Sequence, residues 1–334
     1  MRVRFLRAAS AVSLFLAAGC AQTVRPASNS PALAPVPPAS AVRPAARPAP
    51  VTPASLDAAI KAEIAAVPGN VWIYAKNLDT GATYDLRGDE RVRTASTIKL
   101  PILVAVYAEV AEGRARWDQE LILTKEKKVS GSGVLTEFAD GTRLTLRDAA
   151  NLMIVVSDNS ATNLVLDVVS SDTVNARMDA LGLTKTRSVR KIGGGNPGKV
   201  NDDPVWRLYG LGISTPHEMV TLLERLERGE IVSPAASKEI IETLKREQYG
   251  DGIGRTLYDV TVASKSGALD RLRSDVGIVY TRRGRIAMAI TVDDLPEVHY
   301  APDNPGLLLI SRLSLLLTEG LAMPGRPAPT AFCP

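Results

Sequence analysis

Residues Thr94-Ala95-Ser96-Thr97-Ile98-Lys99-Leu100-Pro101-Ile102-Leu103-Val104 place a serine three residues before a lysine at the start of an apolar helix. Positions i and i+3 share one helical face, so Lys99 can stand beside Ser96. Pro101 is tolerated only near a helix start, which predicts a helix that begins close to Ser96. The positive end of the helix dipole would then stabilise a developing alkoxide and lower the pKa of Lys99. A lysine amine can take the proton of an attacking serine. The alternative is an ordinary amphipathic helix.

Strand-like segments lie at both ends of the chain around a mainly helical middle. Apolar and β-branched runs predict strands, and a capping box at Thr145 and Asp148 predicts the start of a helix. The predicted strands are residues 71–75, 83–86, 261–264, 275–281 and 286–292, and a leucine-rich helix follows from Pro305 to Thr318. We therefore expect an α+β fold (an α/β sandwich), in which an antiparallel sheet is formed from both termini and an all-helical lobe is inserted.

Two further motifs follow in order, Ser157-Asp158-Asn159 after a helix and Lys265-Ser266-Gly267 at the end of a strand. Taken singly, the first is a polar turn between helices and the second is a strand end at a bulge. Ser-x-x-Lys, Ser-Asp-Asn and Lys-Ser/Thr-Gly in this order resemble the signature of the superfamily of β-lactamases and penicillin-binding proteins. The chain is most similar to the class A β-lactamase family, over about residues 55–323, and this resemblance implies the β-lactamase/transpeptidase-like fold.

The resemblance also implies roles for individual residues. Ser96 would be the nucleophile, Lys99 its base, Ser157 a proton relay and Lys265 the group that keeps Ser157 polarised. The backbone N–H groups of Ser96 and Ala268 would form the oxyanion hole. Substrate contacts are expected from Asn159, Ser266, Gly267, Ala268 and Arg273. Lys265 and Ser266 would together bind a substrate carboxylate. Arg273, or alternatively Arg271, would replace an arginine that the family carries where this chain has Val276.

The chain departs from the family in the stretch that supplies the water-activating base. Class A β-lactamases carry a glutamate on the loop after the Ser-Asp-Asn helix. The corresponding stretch here, about Thr184 to Ser214, contains no glutamate, and its only acids are Asp202 and Asp203. We expect Asp202, Asp203 or Lys99 to act as the deacylation base in place of this glutamate, and we expect deacylation to be slow.

The first residues resemble a bacterial lipoprotein signal. A basic start and a short apolar run precede Leu16-Ala17-Ala18-Gly19-Cys20, so we expect a signal peptide at 1–19 and lipidation of Cys20. A plain secretory signal is the alternative. Residues 20–53 are a Pro/Ala-rich tether, 54–323 the enzyme domain and 324–334 a Pro/Ala-rich tail. Because Ala21 is not an aspartate, we expect a periplasmic protein anchored in the outer rather than the inner membrane.

Composition excludes several classes of function. Three arginines of the signal segment account for most of the net charge of +4, and 4% aromatic residues give no nucleic-acid footprint. Two cysteines and two histidines, widely separated, support neither a disulfide framework, a Ser-His-Asp triad nor a metal site. Residues 193–199 match G-x-x-x-x-G-K, but Val200 stands where a phosphate loop needs Ser or Thr. We expect no cofactor, and a monomer.

The sequence thus predicts a serine hydrolase of the class A β-lactamase family that forms an acyl-enzyme at Ser96. Its substrate would be a β-lactam or an acyl-D-alanyl-D-alanine-like peptide. The first alternative is a D-alanyl-D-alanine carboxypeptidase-like cell-wall peptidase. The second, from another class, is a β-lactam-binding sensor or sink without turnover, although no separate signalling segment is visible.

Overall fold

A five-stranded antiparallel sheet organises the fold, and its strands come from both ends of the chain. The computed structural model describes residues 53–194, 199, 204 and 208–322. Its strands are β1 (Asn70–Asn77), β2 (Thr83–Leu86), β8 (Thr261–Leu269), β9 (Leu272–Thr281) and β10 (Gly284–Asp293). They lie side by side in the order β2-β1-β10-β9-β8. The expected α+β fold, with one sheet built from the two termini, is confirmed.

Two terminal helices cover one face of this sheet. They are α1 (Pro53–Ala65) and α8 (Pro305–Gly320). Leu56 and Ile60 of α1 share a buried apolar cluster with the leucines of α8 and with the inward side chains of β1 and β10. This burial explains the leucine-rich sequence of α8 as core packing. Within the described residues, no helix has the length and apolarity to cross a membrane.

The other face of the sheet packs against an inserted lobe. Its helices are α2 (Lys99–Ala111), α3 (Leu146–Val155), α4 (Asn159–Val169), α5 (Ser171–Ala180), α6 (Pro216–Glu227) and α7 (Pro234–Leu244). Helix α2 is buried along nearly its whole length, so it forms the axis of the lobe. The predicted capping box is present, because the Thr145 side chain accepts from Asp148 N and the Asp148 side chain accepts from Thr145 N.

The sequence had suggested an all-helical inserted lobe, and this detail is wrong. The lobe also carries a ribbon of β4 (Glu120–Leu123) and β5 (Thr142–Thr145), and a small sheet of β3 (Val92–Arg93), β7 (Gly212–Ser214) and β6 (Arg187–Ser188). These strands have two to four residues each, too few for a clear alternating pattern. Strand β8 lies at the edge of the main sheet, so one side of its backbone is open towards the lobe. The site is built along this edge.

Candidate active site

Ser96 lies on a tight turn directly before α2. It belongs to a 3₁₀ turn, Ala95–Ile98, and the α-helix begins only at Lys99, slightly later than the sequence had suggested. Ala95 has a φ of 48°, a conformation that costs a residue with a side chain about 1–3 kcal/mol. Thr97 fastens the turn, because its N and Oγ both donate to Thr94 O, at 3.2 and 2.8 Å. The backbone is thus held in a strained form that presents Ser96.

Gly267 lets strand β8 approach this turn. A Cβ atom at this position would lie 2.8 Å from Thr94 O and 3.0 Å from Ser96 N, both backbone atoms that cannot move aside. Only glycine therefore allows the Lys-Ser-Gly strand to pack against the backbone of the serine. The structure brings the first and third motifs together at this contact.

Lys99 is fully buried and hydrogen-bonded to the Ser-Asp-Asn loop. Its Nζ donates to Ser157 O at 2.7 Å, to Ser157 Oγ at 3.1 Å and to Asn159 Oδ1 at 3.0 Å. Burial, followed by the positive charge of Lys265, holds the pKa of Lys99 well below its usual range. The partners that accept from Lys99 are neutral. The site therefore favours an uncharged amine, the form that accepts a proton.

The Ser157–Asn159 loop is fixed by Asp158. Its carboxylate accepts from Val134 N at 2.7 Å, Leu135 N at 2.9 Å and Ala161 N at 2.8 Å, so it caps α4 and ties down a neighbouring loop. Ser157 itself has a φ of 50°. The sequence analysis gave Asp158 no role of its own. An aspartate directly before an apolar helix is a typical N-cap residue, so the capping part of this role could have been predicted from the sequence.

The Asn159 amide is committed at both ends. Its oxygen accepts from Lys99, and its Nδ2 donates to Ser130 O at 2.9 Å. Because both ends are bonded, the amide cannot turn over, and its oxygen stays directed at the lysine. Asn159 thus contacts Lys99, while its expected contact with substrate stays a prediction.

Lys265 is also fully buried, but it is bound differently from Lys99. It forms an ion pair with Glu247, whose side chain is 2% exposed, and donates to Ser266 O at 2.9 Å. Glu247 further accepts from Ser266 N, Ser266 Oγ and Ser264 Oγ, at 2.9, 2.8 and 3.2 Å. In the described part of the chain these bonds take the place of the one to Ser157 that we had expected, so the polarising role of Lys265 stays a prediction.

Sequence reasoning missed Glu247. It stands in the run Lys245-Arg246-Glu247-Gln248 after α7, a composition typical of an exposed helix end. Its partners lie 17–19 residues away, on the far side of a loop. No local pattern signals such a contact.

The two expected oxyanion donors lie at the same edge. Ser266 N donates to Glu247 and not to β9, so it points to the open side of β8. Every second residue of an antiparallel strand directs its N–H to the same side, so Ala268 N also points to the open side. Ser96 N lies close to Gly267, the residue before Ala268. Both N–H groups thus lie where the open edge of β8 meets the Ser96 turn, and their role as oxyanion donors stays a prediction.

The two candidate arginines bind backbone carbonyls. Arg273, 1% exposed, donates to Leu269 O and Leu272 O, both at 2.6 Å, and to His299 O. Arg271 donates to the carbonyls of Leu295 and Asp294. These bonds occupy the guanidinium groups that a substrate carboxylate would need. Recognition of substrate by Arg273 therefore stays a prediction that the geometry does not favour.

The loop that should hold a deacylation base is only partly described. Asp202 and Asp203 lie outside the described residues, as does Cys20. At the start of the loop, Asn163 Nδ2 donates to Ile192 O and Ile192 N donates to Asn163 Oδ1, both at 2.9 Å. These residues line a cavity of about 480 Å³ that also includes Ser130, the partner of Asn159. Its wall includes Asp167, which is paired with Lys191 and Lys127.

Comparison with known proteins identifies the family of this chain. The family model described as "Beta-lactamase enzyme family" matches residues 55–321. The β-lactamase AER-1 of Aeromonas hydrophila is 27% identical over 63% of this chain and 68% of its own length. A β-lactamase of Streptomyces cellulosae is 26% identical over 75% of this chain and 80% of its own.

Solved structures are similar over most of the chain. The crystal structure of a β-lactamase from Sphaerobacter thermophilus is 30% identical, with a TM-score of 0.70, and covers 81% of this chain and 99% of its own. A mutant of the protein PBP-A, solved as an acyl-enzyme complex with penicillin G, is 27% identical, with a TM-score of 0.68, and covers 80% of this chain and 97% of its own.

Proposed function

The chain belongs to the beta-lactamase enzyme family, and from this membership and its site we propose that it is a serine hydrolase that forms an acyl-enzyme at Ser96 with β-lactams. The observation that carries the proposal is Lys99. It is a buried amine one helical turn from the serine, and its pKa is lowered towards the uncharged form. The acceptors that it meets among the described residues are all neutral.

The reaction proceeds in two stages. Ser96 Oγ attacks the lactam carbonyl carbon while its proton passes to Lys99, and the carbonyl oxygen gains a negative charge between the N–H groups of Ser96 and Ala268. The tetrahedral intermediate then breaks its C–N bond, and the ring nitrogen takes a proton through Ser157. Ser157 is suited to this relay because its Oγ lies 3.1 Å from Lys99 Nζ. Water later hydrolyses the ester.

Covalent labelling tests this proposal. Incubation of the wild type with a fluorescent penicillin should add one probe per chain, and peptide mapping should locate it on Ser96. Ser96→Ala should lose all labelling while keeping the melting temperature. Labelling that persists in Ser96→Ala would overturn the assignment of the nucleophile.

A second candidate is a D-alanyl-D-alanine carboxypeptidase-like activity. Two observations favour it: the loop from Thr184 to Ser214 lacks a glutamate, and PBP-A is as similar in structure as several β-lactamases. Release of D-alanine from an acyl-D-alanyl-D-alanine peptide, measured beside hydrolysis of a penicillin, would decide between the two. A sensor or sink would show stoichiometric labelling and neither product.

We also propose that the protein is exported and anchored by lipid at Cys20, with the Pro/Ala-rich stretch to residue 53 as a tether. The support is the sequence alone, a basic start and an apolar run that end in Ala-Gly-Cys. The lipid would anchor the protein in the outer membrane, with the enzyme domain in the periplasm. Mass spectrometry of the mature N-terminus should find a lipidated Cys20. An unmodified N-terminus further along the chain would rule out the anchor.

A further inference from the structure

The carboxylate of Glu247 occupies the hydrogen-bond donors of the Lys-Ser-Gly strand. It receives the Lys265 ammonium, the Ser266 hydroxyl and the Ser266 N–H, and Ser264 Oγ lies within reach. An ammonium, a hydroxyl and a backbone N–H that converge on one point are the donors that bind a carboxylate ligand. Here the chain supplies that carboxylate itself.

Glu247 lies on the side of β8 where substrate would lie. Ser266 N points to the open edge of the strand, and Ala268 N points the same way two residues further on. The distance between alternate residues of a strand is about 6.8 Å. Some ligands carry a carboxylate a few ångströms from their carbonyl group. If the carbonyl oxygen of such a ligand lay at Ala268 N, that carboxylate would lie close to the donors that Glu247 binds.

The charge of Lys265 is balanced by this contact. Among the described residues, the buried lysines are Lys99 and Lys265 and the buried arginine is Arg273. Lys99 is shifted towards its neutral form, and Arg273 is bound to carbonyls. Asp275 adds no charge near neutral pH, because burial and the neighbouring Glu247 raise the pKa of its carboxyl to about 8. Glu247 thus neutralises the cation that an anionic substrate would otherwise meet.

We propose that Glu247 is a specificity-determining residue: it fills the carboxylate subsite from within, so that this enzyme does not depend on a carboxylate in its substrate. The inference rests on the proposed acylation of Ser96. Glu247 is not a catalytic residue in this account. It acts through Lys265 and Ser266 by withholding them from the ligand.

Acylation by a matched pair of probes tests the inference. Benzylpenicillin and its methyl ester differ only in the carboxylate, and the rate constant for acylation of Ser96 by each is measured by intact mass. The wild type should react with the acid and the ester at rates within about threefold of each other. Glu247→Gln removes the negative charge, so that a substrate carboxylate can displace the weaker, neutral amide from Lys265 and Ser266. The variant should raise the acid-to-ester ratio roughly tenfold or more, the effect of one charge-assisted hydrogen bond.

Controls separate this role from a structural one. Glu224→Gln removes another partly buried carboxylate, which is paired with Lys76 and Arg228 away from the site, and it should leave the ratio unchanged. A purely structural Glu247 would slow both probes equally and keep the ratio, which would overturn the inference. If Glu247→Gln does not fold, the wild type still decides, since a preference for the acid beyond about tenfold would contradict a filled subsite. Failure of both probes to label Ser96 in the folded wild type would instead overturn the proposed function, and this inference with it.

Discussion

Two lysines of the site are equally buried, and yet their surroundings give them opposite chemistry. Lys99 and Lys265 both have 0% exposure. Lys99 donates to a carbonyl, a hydroxyl and an amide, whereas Lys265 donates to the carboxylate of Glu247. Burial disfavours the charged form of an amine unless an opposite charge compensates it. The hydrogen-bond partner therefore matters as much as burial: the surroundings of Lys99 favour a neutral amine, and Lys265 is held in an ion pair.

The two environments also depend on each other. The positive charge of Lys265 is the second cause, after burial, that lowers the pKa of Lys99. The ion pair with Glu247 holds the Lys265 ammonium in place, and its charge acts on Lys99 through space. A lysine in Ser-x-x-Lys or Lys-Ser-Gly therefore has no protonation state that the motif alone determines. The protonation state depends on the groups that other segments place around the amine.

The largest effect should follow from Lys99→Arg. Arginine keeps the positive charge but cannot release its proton, so it can hydrogen-bond to Ser157 and not serve as the base. We expect acylation by a penicillin to fall about 10²–10⁴-fold, the usual contribution of a positioned base. Stopped-flow or quenched labelling measures it, with Lys76→Arg as the control. A loss below about fivefold would remove Lys99 from the role of base.

A second prediction concerns deacylation, for which the loop from Thr184 to Ser214 carries no glutamate as water-activating base. Without the usual glutamate, acyl-enzyme should accumulate, giving a burst of one product per enzyme and then slow turnover of a chromogenic cephalosporin. If Asp202 or Asp203 is the base, changing it to asparagine should lengthen the acyl-enzyme lifetime up to about 10²–10⁴-fold and leave the burst unchanged. Rapid steady turnover without a burst would show that another base acts.

Breaking the Lys265–Glu247 pair should destabilise the fold. Lys265→Gln leaves a buried carboxylate without its cation, and such a loss costs about 3–5 kcal/mol. The double variant Lys265→Gln/Glu247→Gln removes both charges and should recover much of this. Urea unfolding of the four proteins gives the coupling free energy. If the two single losses simply added in the double variant, the pair would not be an interacting unit.

The smallest effect is expected from Gly133→Ala, which acts on the Lys99 side only. Gly133 has a φ of +111°, and a Cβ there would lie 2.2 Å from Asp158 Oδ2. Gly141 also has a positive φ, +81°, but nothing lies within 4 Å of its Cβ position. Gly141→Ala should cost about 1 kcal/mol, and Gly133→Ala about 1–3 kcal/mol with slower acylation. Equal losses of unfolding free energy would mean that the Asp158 contact is unimportant.

Local chemistry made much of the fold predictable. The capping box of Thr145 and Asp148 and the leucine-rich α8 both stand where the sequence placed them. Each rests on residues within a few positions of one another. The three motifs, each confined to a few residues, were likewise found from the sequence, and the structure brings them together around Ser96.

What the sequence did not reveal depends on distant segments or on short ones. Glu247 and the backbone anchors of Asp158 are long-range contacts made by residues with ordinary local surroundings. The 3₁₀ turn at Ala95–Ile98 lies against strand β8 at Gly267, and a local helix-start pattern cannot show such a contact. The assignment of Arg273 to substrate came from resemblance, and only the structure shows three carbonyls around its guanidinium.

The pH dependence of acylation tests the contrast between the two lysines most directly. Only the neutral amine of Lys99 can accept the proton of Ser96, so the acylation rate constant should rise with pH and reach a plateau well below 10.4, the ordinary pKa of lysine. The measurement is the rate of penicillin labelling of the wild type from about pH 5 to pH 10, corrected for probe hydrolysis. A rate that still climbs tenfold per pH unit at pH 9–10 would show that Lys99 is charged in the resting site and would contradict the account.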